Sequence, residues 1–167
     1  PMESRGKKFE QELRLSMEAA GLMVHRISNA VSWDGHRMVG APTPGDFYAF
    51  GTDSKGSLTV SLIEAKAVNG NSLPFSRLEK HQLDSLNEFD SLSDDAHGWV
   101  AVNFYDAEDI RHHNRCFMIP VSAWNGMMRS GERRSVPISA CESDDSTVEC
   151  PRAAASTYDM REWASKL

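Results

Sequence analysis

Leu58-Thr59-Val60-Ser61-Leu62-Ile63-Glu64-Ala65-Lys66-Ala67-Val68 is the stretch on which the reading of this chain turns. It predicts a strand over 57–68, and because strand side chains alternate, Leu58, Val60, Leu62, Glu64 and Lys66 share one face. That face enters the interior at one end and turns polar at the other. An acid and a lysine at the polar end of a buried strand mark a site at the edge of a sheet. Just upstream, Asp46-Phe47-Tyr48-Ala49-Phe50 reads as a shorter strand. Gly51-Thr52-Asp53-Ser54-Lys55-Gly56, dense in turn formers, joins the two as a hairpin.

Working outward, Ser4 is an N-cap for a helix in which Phe9, Leu13, Met17 and Ala20 recur at helical spacing until Gly21 stops it. Leu22 to Ile27 reads as a strand, and residues 28–45 as an irregular, projecting loop. A second helix opens at Ser76, which has capping-box spacing to Glu79, and carries Leu78, Leu86 and Phe89 as its apolar stripe. Gly98–Tyr105 and Arg115–Val121 read as two more strands joined by a charged turn around Asp106–Asn114. Pro120 cannot donate to a ladder, which predicts an edge or a bulge there. Residues 126–157 are polar and irregular, and 158–167 read as a short terminal helix carrying Trp163. The expectation is one domain over 1–167, an α/β fold with a mixed central sheet flanked by helices.

The length of 167 residues, 40% hydrophobic and 25% charged, is that of a globular chain able to bury its own core. No apolar run is long enough for a spanning helix. Pro1 before Met2 reads as a scar of tag removal, and the N-terminus lacks the charged-then-apolar plan of a signal peptide. Three scattered cysteines (Cys116, Cys141, Cys150) make no disulfide framework and point to a reducing, cytoplasmic setting. The net charge of −6 argues against a nucleic-acid partner until its distribution is read. Residues 1–82 carry ten Lys/Arg against nine Asp/Glu, whereas 83–167 carry eight against fifteen. A phosphate-binding surface is therefore built mainly from the first half, with the Arg-bearing stretch Arg111–Arg134 as the other source.

Asp46, Glu64 and Lys66 are the parts that phosphodiester hydrolysis requires. Two carboxylates hold Mg²⁺, a hard cation that takes oxygen ligands. The ion activates water and offsets charge on the phosphate, and the lysine orients that water or stabilises the reacting oxygens. The spacing alone is short, and an ordinary Glu-Lys pair on an exposed strand face accounts for it equally well. Gln82 adds weight, because it sits on the second helix's apolar stripe, four residues from Leu78 and from Leu86, where an amide needs a partner. Glu10 leans over the sheet or faces solvent.

Arg5-Gly6 with Glu10, Thr43-Pro44-Gly45-Asp46-Phe47, Ile63-Glu64-Ala65-Lys66, Leu73-Pro74-Phe75 and His81-Gln82 occur in that order. The set resembles the RecU-type Holliday junction resolvases of the PD-(D/E)XK nuclease superfamily, from about Arg5 to Trp124. The resemblance implies a Mg²⁺-dependent endonuclease, with Mn²⁺ as a substitute, that cuts branched DNA as a homodimer. It implies Asp46, Glu64 and Gln82 as metal-site residues, Lys66 as the catalytic lysine, and Glu10 as a further acid on the first helix. The tail after Trp124 has no counterpart in it.

Arg5, Lys7 and Lys8 at the start of the first helix are candidate phosphate contacts, as are Arg77, Lys80 and His81 at the second. Arg26 and Arg37, near Trp33, are candidates beside a loop aromatic able to stack on an unpaired base. His112-His113-Asn114 with Cys116 fits no zinc spacing and reads as a charged turn. No Walker loop or G-x-S-x-G motif is present. Two other readings stay open: a related nuclease acting on flaps, ends or duplex sites, and an inactive DNA-binding or assembly module.

Overall fold

Six strands form one mixed sheet in the order β1-β4-β5-β7-β8-β10. They are β1 (Met23–Arg26), β4 (Phe47–Thr52), β5 (Leu58–Asn69), β7 (Ala96–Tyr105), β8 (Asn114–Pro120) and β10 (Val148–Cys150). The structure is a computed structural model that describes residues 3–29 and 31–167. Pro1, read as a processing scar, lies outside the described residues. The pair β5/β7 is parallel, with Glu64 opposite Val100 and Lys66 opposite Val102, while the other pairings are antiparallel. A parallel pair needs a crossover, and here it holds helix α2 (Lys80–Asp90).

Two cores lie on the two faces of this sheet. On one, helix α1 (Arg5–Ala19) buries Phe9, Leu13 and Met17 against Phe47, Ile63 and Ala101, and Trp163 of α5 (Arg161–Ala164) joins them. On the other, Leu86 of α2, Trp124 of α3 (Val121–Arg129) and Cys141 of α4 (Ile138–Ser143) pack on Leu62, Val100 and Val102. The alternation along β5 thus sends Ile63 to one core and Leu62 to the other. Gly98 lets α2 sit close on β7, because a Cβ there would stand 2.6 Å from the Leu86 carbonyl oxygen. Ser4 caps α1 as its sequence predicts, accepting the Lys7 N–H at 3.4 Å.

Several expectations need correction. The inward face of β5 is shorter than its alternation implies: Leu58 is 61% exposed and Val60 half-buried, because this end of the strand lies at the hairpin turn, outside the helices' cover. The second helix begins at Lys80 with Glu79 as its N-cap, preceded by a 3-10 turn over Phe75–Arg77, so Ser76 is not the cap. Pro120 sits in a strand flanked on both sides, yet it is the last residue of β8, beyond the Cys116–Met118 stretch that pairs with β10, and leads into α3. Residues 126–157, expected to be irregular, hold the end of α3, strand β9 (Ser135–Pro137) on β6 (Ser72–Pro74), α4, β10, and β11 (Arg152–Ala154) leading to β12 (Thr157–Tyr158). Residues 28–45 contain a two-stranded hairpin, β2 (Val31–Trp33) and β3 (Met38–Gly40), turned by Asp34-Gly35. Every residue of β2 and β3 is exposed. Among the described residues no helix is long and apolar enough to cross a membrane.

Candidate active site

The strands β4 and β5 part where the site forms. Their register ends at Phe47 opposite Ile63. One residue earlier the Asp46 N–H still donates to the Ile63 carbonyl at 2.8 Å, and the Asp46 side chain then replaces the missing ladder: its Oδ2 accepts the Ala65 N–H at 2.8 Å. Gly45 makes this close passage possible, since a Cβ there would lie 3.1 Å from the Ile63 oxygen and 2.9 Å from Leu62 Cδ1. Asp46 is thereby fixed at the edge of the fork.

Glu64 and Lys66 project from β5 toward α2, as the strand alternation predicts. Lys66 Nζ lies 3.1 Å from Glu64 Oε1. Gln82 Nε2 donates to the same Oε1 at 2.8 Å, and Gln82 Oε1 accepts from Lys66 Nζ at 3.2 Å and from the Glu79 N–H at 3.0 Å. Two donors around one end of the amide and a carboxylate at the other fix its orientation. Gln82 is the third residue of α2, so the residue that reaches back to cap the helix also grips the acid.

Burial pushes the Glu64 carboxyl up to about 7, and the Asp46 charge adds to that rise, against the pull of Lys66. Asp46 is raised by its burial, with the Ala65 N–H and Lys66 pulling the other way. Glu10, half-buried on α1, is raised by burial and by Asp46. The three acids therefore sense one another, although the Glu10 Oε2 is held by the Arg26 guanidinium at 2.9 Å.

Two carboxylates that burial and mutual repulsion keep from ionising freely are a suitable donor set for a hard divalent cation. Asp46 Oδ1 and Glu64 Oε2 accept no hydrogen bond among the described residues, which leaves one oxygen of each acid for such an ion. Among the described residues, no three His, Cys, Asp or Glu side chains stand together as a metal cage. Gln82 meets the acids through its nitrogen, which is a donor, so in this arrangement it orients Glu64 and does not ligate.

The expected phosphate contacts separate into three groups. Arg5 requires a correction: it is an internal residue, its side chain 11% exposed, clasping Glu12 at 2.7 and 3.2 Å and bonding Asn103 and the Tyr158 hydroxyl. Arg26 is tied to Glu10, Arg37 to Asp34 at 3.8 Å, Arg77 to the Ala67 carbonyl at 3.1 Å, His81 to Glu79 and Lys80 to Asp84. Lys7 and Lys8 are exposed on α1.

The sequence reading missed Glu12, 3% exposed, and the polar network around it. Tyr158 OH reaches Asn114 Oδ1 at 2.8 Å, and the Asn103 amide donates to the same oxygen at 2.7 Å. The available signal was the seven-residue spacing of Arg5 and Glu12, two helical turns, which places opposite charges on one face.

Neither a protein-family model nor a curated protein matches the chain significantly. Among solved structures it is similar to the Holliday junction resolvase Hjc of Archaeoglobus fulgidus, with 22% identity over 72% of this chain and 75% of that one, at a TM-score of 0.46.

Proposed function

We propose that this chain is a Mg²⁺-dependent endonuclease of the PD-(D/E)XK kind, acting on branched DNA with the four-way junction as its substrate. The observation that supports it is Glu64, pinned between Lys66 at 3.1 Å and Gln82 at 2.8 Å and raised by its burial and by the charge of Asp46. Asp46 and Glu64 would hold the ion, each through the oxygen that accepts no hydrogen bond, and Mn²⁺, which accepts the same ligands, would replace it. Bound there, the ion supplies an activated water and offsets charge on the phosphate. Lys66 keeps a cation beside the acids, placed to stabilise oxygens of the scissile phosphate. Gln82 fixes the Glu64 carboxylate, and Glu10 adds negative charge from α1.

The ordered motifs from Arg5 to Gln82 support the junction as substrate. A four-way junction has two equivalent cutting points, which a two-fold homodimer matches with two identical sites. The exposed hairpin β2–β3 and the stretch Arg111–Arg134 are the segments assigned to the DNA or the dimer axis. The test is to incubate the protein with Mg²⁺ and a synthetic four-way junction, a flap and a plain duplex, and to map the products. Paired, symmetric nicks in the junction are expected, with a dimer in sedimentation. Equal cutting of all three shapes overturns the junction assignment, and no cutting of any overturns the nuclease reading.

A further inference from the structure

A cleft of 410 Å³ opens beside the start of α1, lined by Arg5, Lys8, Glu12, Arg111 and Arg152 among others. Arg5, Lys8 and Glu12 share a face of α1, and Glu10 lies about 170° around the helix from their mean direction. The cleft is therefore on the opposite flank of α1 from the candidate active site. Its single acid is already committed: Glu12 is held by Arg5 at 2.7 Å, with Arg152 at 3.7 Å. Four cations against one neutralised acid give this cleft a formal excess of three positive charges, on a chain whose total is −6.

The four cations differ in what they do. Arg5 and Arg152 are structural, since Arg152 stacks over the Tyr158 ring at 4.9 Å and bonds the Ala155 carbonyl. Lys8 and Arg111 are exposed and have no side-chain partner among the described residues. Of the three acids in the turn that carries Arg111, Asp109 meets His112 at 2.7 Å and His113 at 3.7 Å, Asp106 caps the Glu108 N–H, and Glu108 is exposed and does not line the cleft. A positive cleft with a rigid floor and two unengaged cations suits an anion that carries several acceptor oxygens.

We infer that this cleft is a phosphate-binding site in which Lys8 and Arg111 take a backbone phosphate of bound DNA, away from the cutting site. The inference rests on the proposed DNA partner. It predicts that the Lys8→Ala/Arg111→Ala protein binds a four-way junction, measured in Ca²⁺ to prevent cutting, roughly tenfold more weakly near 0.1 M salt. The slope of log K against log salt should flatten by about 0.9, the contribution of one neutralised phosphate. Lys55→Ala, in the β4–β5 turn, should leave both unchanged.

Inorganic phosphate, titrated against wild type and double variant at constant ionic strength and followed by melting temperature, distinguishes the source of the anion. If phosphate stabilises only the wild type while the DNA slope is unaltered, the cleft takes a small phosphate and the DNA assignment is wrong. An unaltered slope with no phosphate response removes the site altogether. Wild-type protein that binds no DNA of any shape overturns the nuclease reading itself, a different result from a variant that binds normally.

Discussion

Asp46 completes the sheet with its side chain, its Oδ2 accepting the Ala65 N–H at 2.8 Å where β4 has already turned away from β5. The residue thus has a structural bond on one oxygen and a free oxygen on the other. Asp46→Asn keeps an acceptor for Ala65 and should fold with near-wild-type stability, yet lose Mg²⁺-supported cleavage while still binding DNA. Asp46→Ala leaves the N–H unpaired and should cost about 1–3 kcal/mol in chemical denaturation. Full cleavage by Asp46→Asn in Mg²⁺ would remove Asp46 from the site.

The raised Glu64 carboxyl sets a pH dependence of definite sign. In the folded protein it holds its proton up to about 7, whereas the unfolded chain releases it near the ordinary 4.5. Between those values the folded state binds more protons, so stability falls as pH rises through the window, by at most about 3 kcal/mol. Melting curves in chelator should show Glu64→Gln gaining on wild type from pH 5 to pH 7.5. Added Mg²⁺ should narrow that gap at the upper end, and parallel curves for both proteins contradict the assignment.

Gln82 belongs to the helix cap and the acid pair at once. Gln82→Ala should lower stability by about 1 kcal/mol through the lost cap and release Glu64 and Lys66 to other rotamers. Cleavage should fall through kcat more than KM, because the acid is still present but no longer held. Gln82→Glu sets a second carboxylate against Glu64 and should be worse in low salt than Gln82→Ala. Unchanged kcat in both variants argues against a positioning role.

Removing Arg5 leaves Glu12 buried without its closest cation. Arg5→Ala should therefore cost about 3–5 kcal/mol, far more than Lys7→Ala, which alters an exposed side chain. Denaturant titration of the two proteins separates these effects. A small loss for Arg5→Ala would mean that Arg152 alone satisfies Glu12.

The frame of the fold was legible because its strands are long and its helix stops are explicit. Ser4 and Gly21 bracket α1, and the β4–β5 hairpin announces itself by Asp53 and Gly56. Glu64, Lys66 and Gln82 could be placed together because a period of two and a period of 3.6 each fix direction. The tail resisted the same treatment: Val136, Cys141 and Val148 are buried on elements of three to six residues, too short to show a period. The β2–β3 hairpin was signalled by Asp34-Gly35, a turn pair flanked by apolar residues, but the prolines at 42 and 44 drew the whole stretch toward a loop. Arg5 misled for another reason. A charge at a helix start reads as exposed, and only the tertiary partners Asn103 and Tyr158, about a hundred residues or more away, draw it inside.

The β2–β3 hairpin contributes no buried residue to either core, and it leaves the sheet between Arg26 and Phe47. An insertion of this kind is an interchangeable tool head. It can be shortened, lengthened or swapped for another without disturbing the handle, because no core side chain has to be repacked around the change. The chain still enters β4 through Gly45 and Asp46, seated on Ile63 and Ala65. Under the proposed function, the hairpin that would meet the DNA and the residues that would cut it lie in segments that touch end to end but can be altered one at a time.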